Sequence, residues 1–140
     1  MILLQKQGCE VVSVYFTSGE RGIKGVSLDE AASIRRQELI EACKVMGVKY
    51  RLMTQIDGQS EINAERYKEM IQVIEEEKPD VVFTHWPIEL HRDHRNCIAT
   101  TGTARHSCWM PGNKAAGTAT CTTTKRNWGS KPGISHLIRM

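Results

Sequence analysis

The sequence lacks several features that mark whole classes of protein. No run of eighteen or more apolar residues occurs, so we expect no membrane span, and no charged and then apolar leader is present, so we expect no signal peptide. The five cysteines are odd in number and form no C-x-x-C pair, which argues against a disulfide framework and against a cysteine-rich zinc module. These absences together favour a cytoplasmic protein.

Acidic residues are missing from the last third of the chain. All 16 lie at or before Asp93 with 12 Lys and Arg, whereas residues 94–140 carry seven Lys and Arg and no acid. This break predicts a domain over residues 1–96 and a basic tail over residues 97–140. The tail is crowded with Thr and Gly and shows neither a helical nor a strand period, which is typical of disorder. A second hypothesis is that the tail is translated out of frame.

The basic residues of the tail do not indicate nucleic-acid binding. The net charge of the whole chain is only +3. The Thr and Gly spacing of the tail offers no ordered basic face and few aromatic residues on which bases could stack. We therefore predict no nucleic-acid partner.

The first 96 residues alternate helical and strand patterns. The segment MILLQKQG resembles the end of a helix, and CEVVSVYFT, VKYRLMTQ and DVVFTHW are strand-like, the last of them apolar enough to be buried on both faces. Helices are predicted from Ser27 or Asp29 to Met46, and from a cap at Asn63 to a stop at Pro79. This alternation predicts an α/β fold with a parallel sheet and flanking helices, whose sites lie beyond the carboxyl ends of the strands.

Two polar loops follow predicted strands at that end. TSGERG comes after the first strand, and HWPIELHRDHRN, after the third, brings His91, Asp93 and His94 close together. Imidazole is a common zinc ligand, and a neighbouring carboxylate can hold it in one tautomer. The same residues could instead form an exposed loop at a helix start, with Asp93 as the cap. The residue pattern alone leaves both interpretations open.

The order of several motifs resembles that of one known family. YFTSGERG, IRRQELIEACKVMGV, a DG pair and KPDVVFTHWPIELHRDHR follow one another over residues 1–96 as in the LmbE/PIG-L family of zinc-dependent de-N-acetylases. The resemblance implies a Rossmann-like α/β fold and a Zn²⁺ cofactor. It also implies removal of the N-acetyl group from N-acetylglucosamine-type conjugates, so the partner would be a small amino-sugar conjugate.

The resemblance further implies roles for single residues. His94 matches the zinc-ligand histidine, and His91 matches the histidine that steadies the oxyanion or protonates the departing amine. Asp93 would orient His94 or its neighbour. The residues that match substrate-facing positions are Arg35 in an R-x-x-E pattern, Asp57 in the DG pair, and Thr17, Gly19 and Glu20 in a T-x-G-E loop.

Three of these substrate-facing residues also have a plainer interpretation. Arg35 could belong to the solvated face of an ordinary helix. Glu20 could be a loop charge, and Asp57 precedes a glycine in a common turn dipeptide. Glu89 stands where the family more usually has Asp.

One motif of the family does not occur in the sequence. The family's first strand carries His-Pro-Asp-Asp, which supplies two zinc ligands and the general base, and this chain contains no such run. A catalytic zinc takes about three protein ligands. We therefore expect that the first strand is absent, that the neighbouring strand edges are unpaired and that activity is weak or lost. The alternatives are a non-catalytic remnant or small-anion-binding α/β module, and a phosphoesterase-like metal hydrolase, for which no second carboxylate cluster is visible.

Overall fold

The computed structural model describes residues 1–86, 88–108 and 134–139, and within them the side chains up to residue 104. Helices and strands alternate along this part of the chain. The helices are α1 (Ile2–Lys6), α2 (Leu28–Met46), α3 (Ala64–Glu77) and α4 (Arg92–Cys108), and the strands are β1 (Glu10–Thr17), β2 (Lys49–Gln55), β3 (Val81–Phe83) and β4 (Ile134–Arg139). A single 3-10 turn, Glu20–Gly22, follows β1.

The two longest predicted helices begin and end where their capping residues indicate. The Ser27 hydroxyl and the Asn63 amide oxygen each accept a hydrogen bond from the backbone N–H three residues on, at 3.3 and 3.0 Å. Helix α2 ends at Gly47, whose φ of 65° lies in the left-handed region that favours glycine. Helix α3 ends before Pro79, which cannot continue it. These boundaries confirm the helices predicted from the sequence.

The four strands form one sheet in the order β2-β1-β4-β3. Strands β1 and β2 pair in parallel, whereas β4 pairs antiparallel with both β1 and β3. Strands β1, β2 and β3 therefore all run in the same direction, and their carboxyl ends meet at one edge of the sheet, called here the carboxyl edge. The predicted α/β fold class is confirmed, and this edge is where such folds bind their ligands.

Strand β4 is the main difference between the sequence-based expectation and the structure. A doubly wound sheet has the spatial strand order 3-2-1-4. In this sheet β2, β1 and β3 occupy the positions of its strands 3, 2 and 4. Strand β4 occupies the position of strand 1 but runs in the reverse direction, and it pairs with β1 on one side and with β3 on the other. The expectation that the inner edges of β1 and β3 would be unpaired is therefore wrong.

The predicted boundary between residues 96 and 97 falls inside α4, which continues unbroken to Cys108. Residues 109–133 of the predicted tail lie outside the described part of the chain, and its out-of-frame origin stays a prediction. The strand expected over DVVFTHW is shorter than predicted, since β3 ends at Phe83 and the following polar residues leave the sheet.

The core lies on both faces of the sheet because the side chains of β1 alternate between the faces. Val12, Val14 and Phe16 point to the face that α3 and α4 cover, where they pack with Met70, Ile74, Cys97 and Ala104. Val11 and Tyr15 point to the opposite face, where they pack with Leu4, Leu39, Cys43 and Met46 of α1 and α2. This three-layer packing holds β1 rigidly, and with it the loop that follows Thr17.

The composition predicted neither a membrane span nor a disulfide framework. None of the described helices has the length and apolar content needed to cross a bilayer. The described cysteine side chains, Cys9, Cys43 and Cys97, form no disulfide with one another.

Candidate functional site

Three loops meet at the carboxyl edge and carry most of the residues singled out in the sequence. The loop after β1 holds Gly19 and Glu20, the loop after β2 holds Asp57, and the loop after β3 leads through His91 into α4. Gly19 has a φ of 71°, a left-handed conformation that a residue with a Cβ rarely adopts. The turn that it makes leads into the 3-10 turn and places Glu20 inside the protein.

Two buried carboxylates tie the three loops together. Glu20, 8% exposed, accepts a hydrogen bond from the backbone N–H of Asp57 at 2.9 Å, which joins the loops after β1 and β2. Asp93, fully buried at the start of α4, accepts from the Gly58 N–H at 2.7 Å and from the Ser60 hydroxyl at 2.6 Å, which joins the loop after β2 to α4. Charge-assisted hydrogen bonds of this kind are the stronger ones. The edge is therefore held in one arrangement before any ligand binds.

The same contacts bring three carboxyl groups close together. Burial raises the pKa of Asp57, and the charges of Asp93 and Glu20 raise it further. Burial would also raise the pKa of Asp93, but hydrogen bonds from Ser60 and Gly58 outweigh burial and hold it below its ordinary value. Two neighbouring carboxyl groups thus have pKa values pushed in opposite directions, a pattern that occurs often at functional sites.

We predict that Asp57→Asn stabilises the protein at neutral pH. Because the pKa of Asp57 is raised on folding, its stabilising contribution is complete below its ordinary value of about 4 and is lost as the pH rises through the raised value. Asparagine is neutral at every pH and avoids this loss. Urea unfolding at pH 7 and at pH 3.5 measures the effect: the variant should be more stable than the wild type at pH 7, and the gain should disappear at pH 3.5. A gain of equal size at both pH values would contradict the explanation.

The histidines form a compact cluster beside this network. The rings of His85 and His94 stack with centroids 4.0 Å apart and planes inclined by 4°, and the His91 ring lies 4.7 Å from that of His94. Glu89 Oε2 lies 3.5 Å from His94 Nδ1. Three contacts lower the pKa of Glu89 and keep it ionised. The largest contribution comes from the backbone N–H of His91, and smaller ones come from the backbone N–H of Leu90 and from His94.

The cluster does not form a three-ligand metal site. Among the described side chains, no three His, Cys, Asp or Glu residues are grouped to hold a metal ion. The nitrogen lone pairs of imidazole lie in the ring plane, so the parallel rings of His85 and His94 cannot both point at one ion. Both carboxylate oxygens of Asp93 accept hydrogen bonds from residues 58 and 60. The described residues therefore do not fit the tetrahedral zinc that the resemblance implied.

Two further predicted residues lie at the end of β1 or next to it. Arg35 donates to the Gly22 carbonyl at 3.3 Å and to Glu38 at 2.7 Å, so it braces the 3-10 turn from α2. Thr17 is 1% exposed, and its hydroxyl makes no hydrogen bond with any described residue. The second carboxylate oxygen of Glu20 is likewise buried without a described partner. Buried polar atoms without partners are rare in native proteins, and a bound ligand is one explanation for them.

A cavity of about 370 Å³ adjoins this end of β1. Ser18, Glu20 and Asp29 supply polar groups to it, and Leu28, Leu52 and Ile56 supply apolar surface. This volume and this mixture of surfaces are typical of sites for small organic ligands.

The sequence reasoning missed three residues of the edge. Ser60, fully buried, donates to Asp93, and Asn96 donates to the Ser60 carbonyl at 2.8 Å and to its hydroxyl at 2.9 Å. His85, the first residue of the HWPIELHRDHRN loop, stacks on His94. The spacing of Asp93 and Asn96, one helical turn apart at the start of α4, was the available signal for a shared partner.

Most of the chain matches one known protein family. A family described as PIG-L: GlcNAc-PI de-N-acetylase matches residues 1–104. The chain belongs to this family. The match extends the resemblance seen over residues 1–96 well into α4.

Solved structures of the same fold include a deacetylase. N,N'-diacetylchitobiose deacetylase from Pyrococcus horikoshii, solved with its inhibitor MPG, is 28% identical over 91% of this chain, with a TM-score of 0.70. A 4-carboxy-2-hydroxymuconate hydratase from Pseudomonas putida KT2440 is 20% identical over 83% of the chain (TM-score 0.73), and the conserved protein TT1542 from Thermus thermophilus is 22% identical over 84% (TM-score 0.67). The last two show the fold alone. This chain covers 55%, 53% and 50% of the three solved chains.

Proposed function

We propose that this chain is a de-N-acetylase-type hydrolase that acts on N-acetylglucosamine-type conjugates at the carboxyl edge. The observation that carries the proposal is the pair of buried carboxylates, Glu20 and Asp93, which join three strand-end loops beside the histidine cluster. Membership of the PIG-L family supports the reaction class. The related deacetylase, named for an N-acetylated disaccharide, supports an amino-sugar substrate.

The end of β1 supplies the groups that would hold the sugar. The Thr17 hydroxyl and the second oxygen of Glu20 have unused hydrogen-bonding capacity and lie at the end of a rigid central strand. Sugar hydroxyls and an amide N–H are partners of the right chemistry for both groups. Arg35 keeps donors beyond those used by Gly22 and Glu38, and these can reach a substrate oxygen at the rim.

The histidine cluster supplies the groups that would act on the amide. Acyl transfer needs a donor for the developing oxyanion and an acid for the departing amine, and imidazole can serve as either near neutral pH. We assign these roles to His91, with His94 beside it. For Asp93 the contacts support a positioning role, because its carboxylate accepts hydrogen bonds from residues 58 and 60 and holds them in place.

Zinc dependence stays a prediction from the resemblance. The described side chains bring no three zinc ligands together, and the sequence contains no His-Pro-Asp-Asp run. The roles proposed above belong to the side chains of this chain alone. Cytoplasmic location also stays a prediction.

Acetate release from N,N'-diacetylchitobiose, with and without added zinc, tests the proposed function. Release by the wild-type chain that falls about 100-fold in His91→Ala supports it, since general acid–base groups contribute roughly 10² to 10⁴ in rate. Lys68→Ala, on the exposed face of α3, is the matched control and should retain full activity. Saturable binding of the sugar without release would favour the non-catalytic module. The absence of both binding and release would overturn the proposal.

A further inference from the structure

A second cavity lies beside the carboxyl edge, between the loop after β2 and the first turns of α3 and α4. Its volume is about 340 Å³, and it is lined by Gln55, Ile56, Gln59, Glu61, Arg66 and Arg92. None of these six residues belongs to the proposed catalytic groups. Gln59 lies between Gly58 and Ser60, the two residues that Asp93 holds, so one wall of the cavity is fixed in position.

The lining of this cavity contains more basic than acidic side chains. Two guanidinium groups line it, against the single carboxylate of Glu61, which already accepts a hydrogen bond from the Asn63 side chain at 3.3 Å. Arg92 is exposed and forms no hydrogen bond or ion pair through its side chain with any described residue. Arg66 is paired with Glu69, so the cation of the lining that has no described partner is Arg92.

The donors of Arg66 are mostly unused. Its Nη1 donates to the Thr54 hydroxyl and forms an ion pair with Glu69 Oε2, which lies 3.6 Å away, beyond hydrogen-bonding range. Glu69 itself is engaged by Thr54, whose backbone N–H and hydroxyl donate to it at 2.8 and 3.1 Å. The Nε–H of Arg66 is buried and has no partner among the described residues. A guanidinium has five donors, and beyond the contact with Thr54 those of Arg66 Nη1 and Nη2 make no described hydrogen bond.

We propose that this cavity binds an oxyanion, the phosphate or carboxylate group of a small molecule, between Arg66 and Arg92. The planar guanidinium fork matches the paired oxygens of both groups, whereas a neutral sugar would leave the charge of Arg92 without a partner. The Gln59 amide can add a further donor from the fixed loop. The proposal goes beyond the amide hydrolysis proposed above and does not depend on it, because inorganic phosphate can be tested in the absence of turnover.

The experiment is a titration of the full 140-residue chain with inorganic phosphate and, separately, with acetate. Binding is measured by calorimetry at constant ionic strength, with chloride as the background anion. We expect saturable binding of at least one of the two anions and a roughly tenfold loss of affinity in Arg92→Gln, the effect of removing one charge-assisted contact. Arg92 makes no described structural contact, so this variant should fold as the wild type does.

The control variant is Lys68→Gln, which removes an equal charge from the exposed face of α3, outside the cavity. It should bind within about twofold of the wild type, since a distant exposed charge is screened by salt. Binding of phosphate alone or of acetate alone, with this difference between the variants, supports the site and identifies the anion. Absence of saturable binding to either anion, or equal losses in the two variants, would overturn the proposal.

Discussion

Replacing Asp93 by alanine is expected to lower the free energy of unfolding by about 3 kcal/mol. The substitution removes a fully buried carboxylate and leaves the Gly58 N–H and the Ser60 hydroxyl without their acceptors. A domain of this size is stable by only about 5 to 15 kcal/mol, so the loss is a large fraction of the total. Urea unfolding followed by circular dichroism measures it. Asp93→Asn should lose less, because its amide keeps one acceptor oxygen and the Ser60 hydroxyl can turn to accept.

The matched control for Asp93→Ala is Glu75→Ala. Glu75 is an exposed carboxylate on α3 that makes no described side-chain hydrogen bond. Its loss should change the free energy of unfolding by no more than about 0.5 kcal/mol. If Asp93→Ala were as mild as this control, the three loops would not be held together by the carboxylate network. The description of the edge as a preformed site would then be wrong.

His136→Pro is expected to lower the free energy of unfolding by about 3 kcal/mol or more. His136 lies in the middle of β4, opposite Ser13 of β1 and opposite Phe83 of β3. Proline has no backbone N–H and is excluded from the middle of a sheet, so it would break the ladder of a central strand. Thermal unfolding of the variant should show a Tm lowered by about 10 °C or more, given that 1 kcal/mol shifts Tm by roughly 3 °C in a chain of this size.

His136→Ala is the control for the proline variant. Alanine removes the same side chain but keeps the backbone N–H, so the difference between the two variants isolates the contribution of the backbone pairing. Equal stability of the two would show that β4 is not paired within the sheet. The sheet would then end at β1 on one side and at β3 on the other, as the sequence alone suggested.

The contrast between α3 and β4 shows what the sequence could predict about the fold. Asn63 and Pro79 mark the ends of α3 chemically, and its apolar residues repeat with the helical period, so local rules were sufficient. Strand β4 lies at the end of a segment with no acids and many Thr and Gly residues. Its pairing with β1 spans more than 100 residues of chain. Such pairing depends on which strand edges are open in three dimensions, and no local pattern reports that.

The candidate site likewise has some features that the sequence predicted and others that depend on contacts between distant residues. His91, His94, Glu20 and Asp57 were named from the loops after predicted strands and from the family resemblance, and the structure places all four at the carboxyl edge. The direction of the Asp93 carboxylate was not predictable. Histidines lie near it in sequence at positions 91 and 94, but its hydrogen-bond partners come from residues 58 and 60, more than 30 positions earlier.

The cationic cavity was invisible in the sequence for a related reason. Arg66 lies in the first turn of α3 and Arg92 is the first residue of α4, and each alone resembles an ordinary exposed charge on a helix. They line the same cavity only because α3 and α4 pack side by side on one face of the sheet. A pattern search has no means to connect two isolated arginines 26 positions apart.

The most direct test of the central claim, that the three strand-end loops form one amino-sugar site, is an NMR titration with N,N'-diacetylchitobiose. Backbone amide shifts of the full chain would be followed as the sugar is added. We predict saturable shifts that share one dissociation constant at Gly19, Gly58 and His91, with none at Val48 or Asp80, which lie at the opposite ends of their strands. Shifts confined to that opposite edge, or no saturable shift at all, would contradict the account.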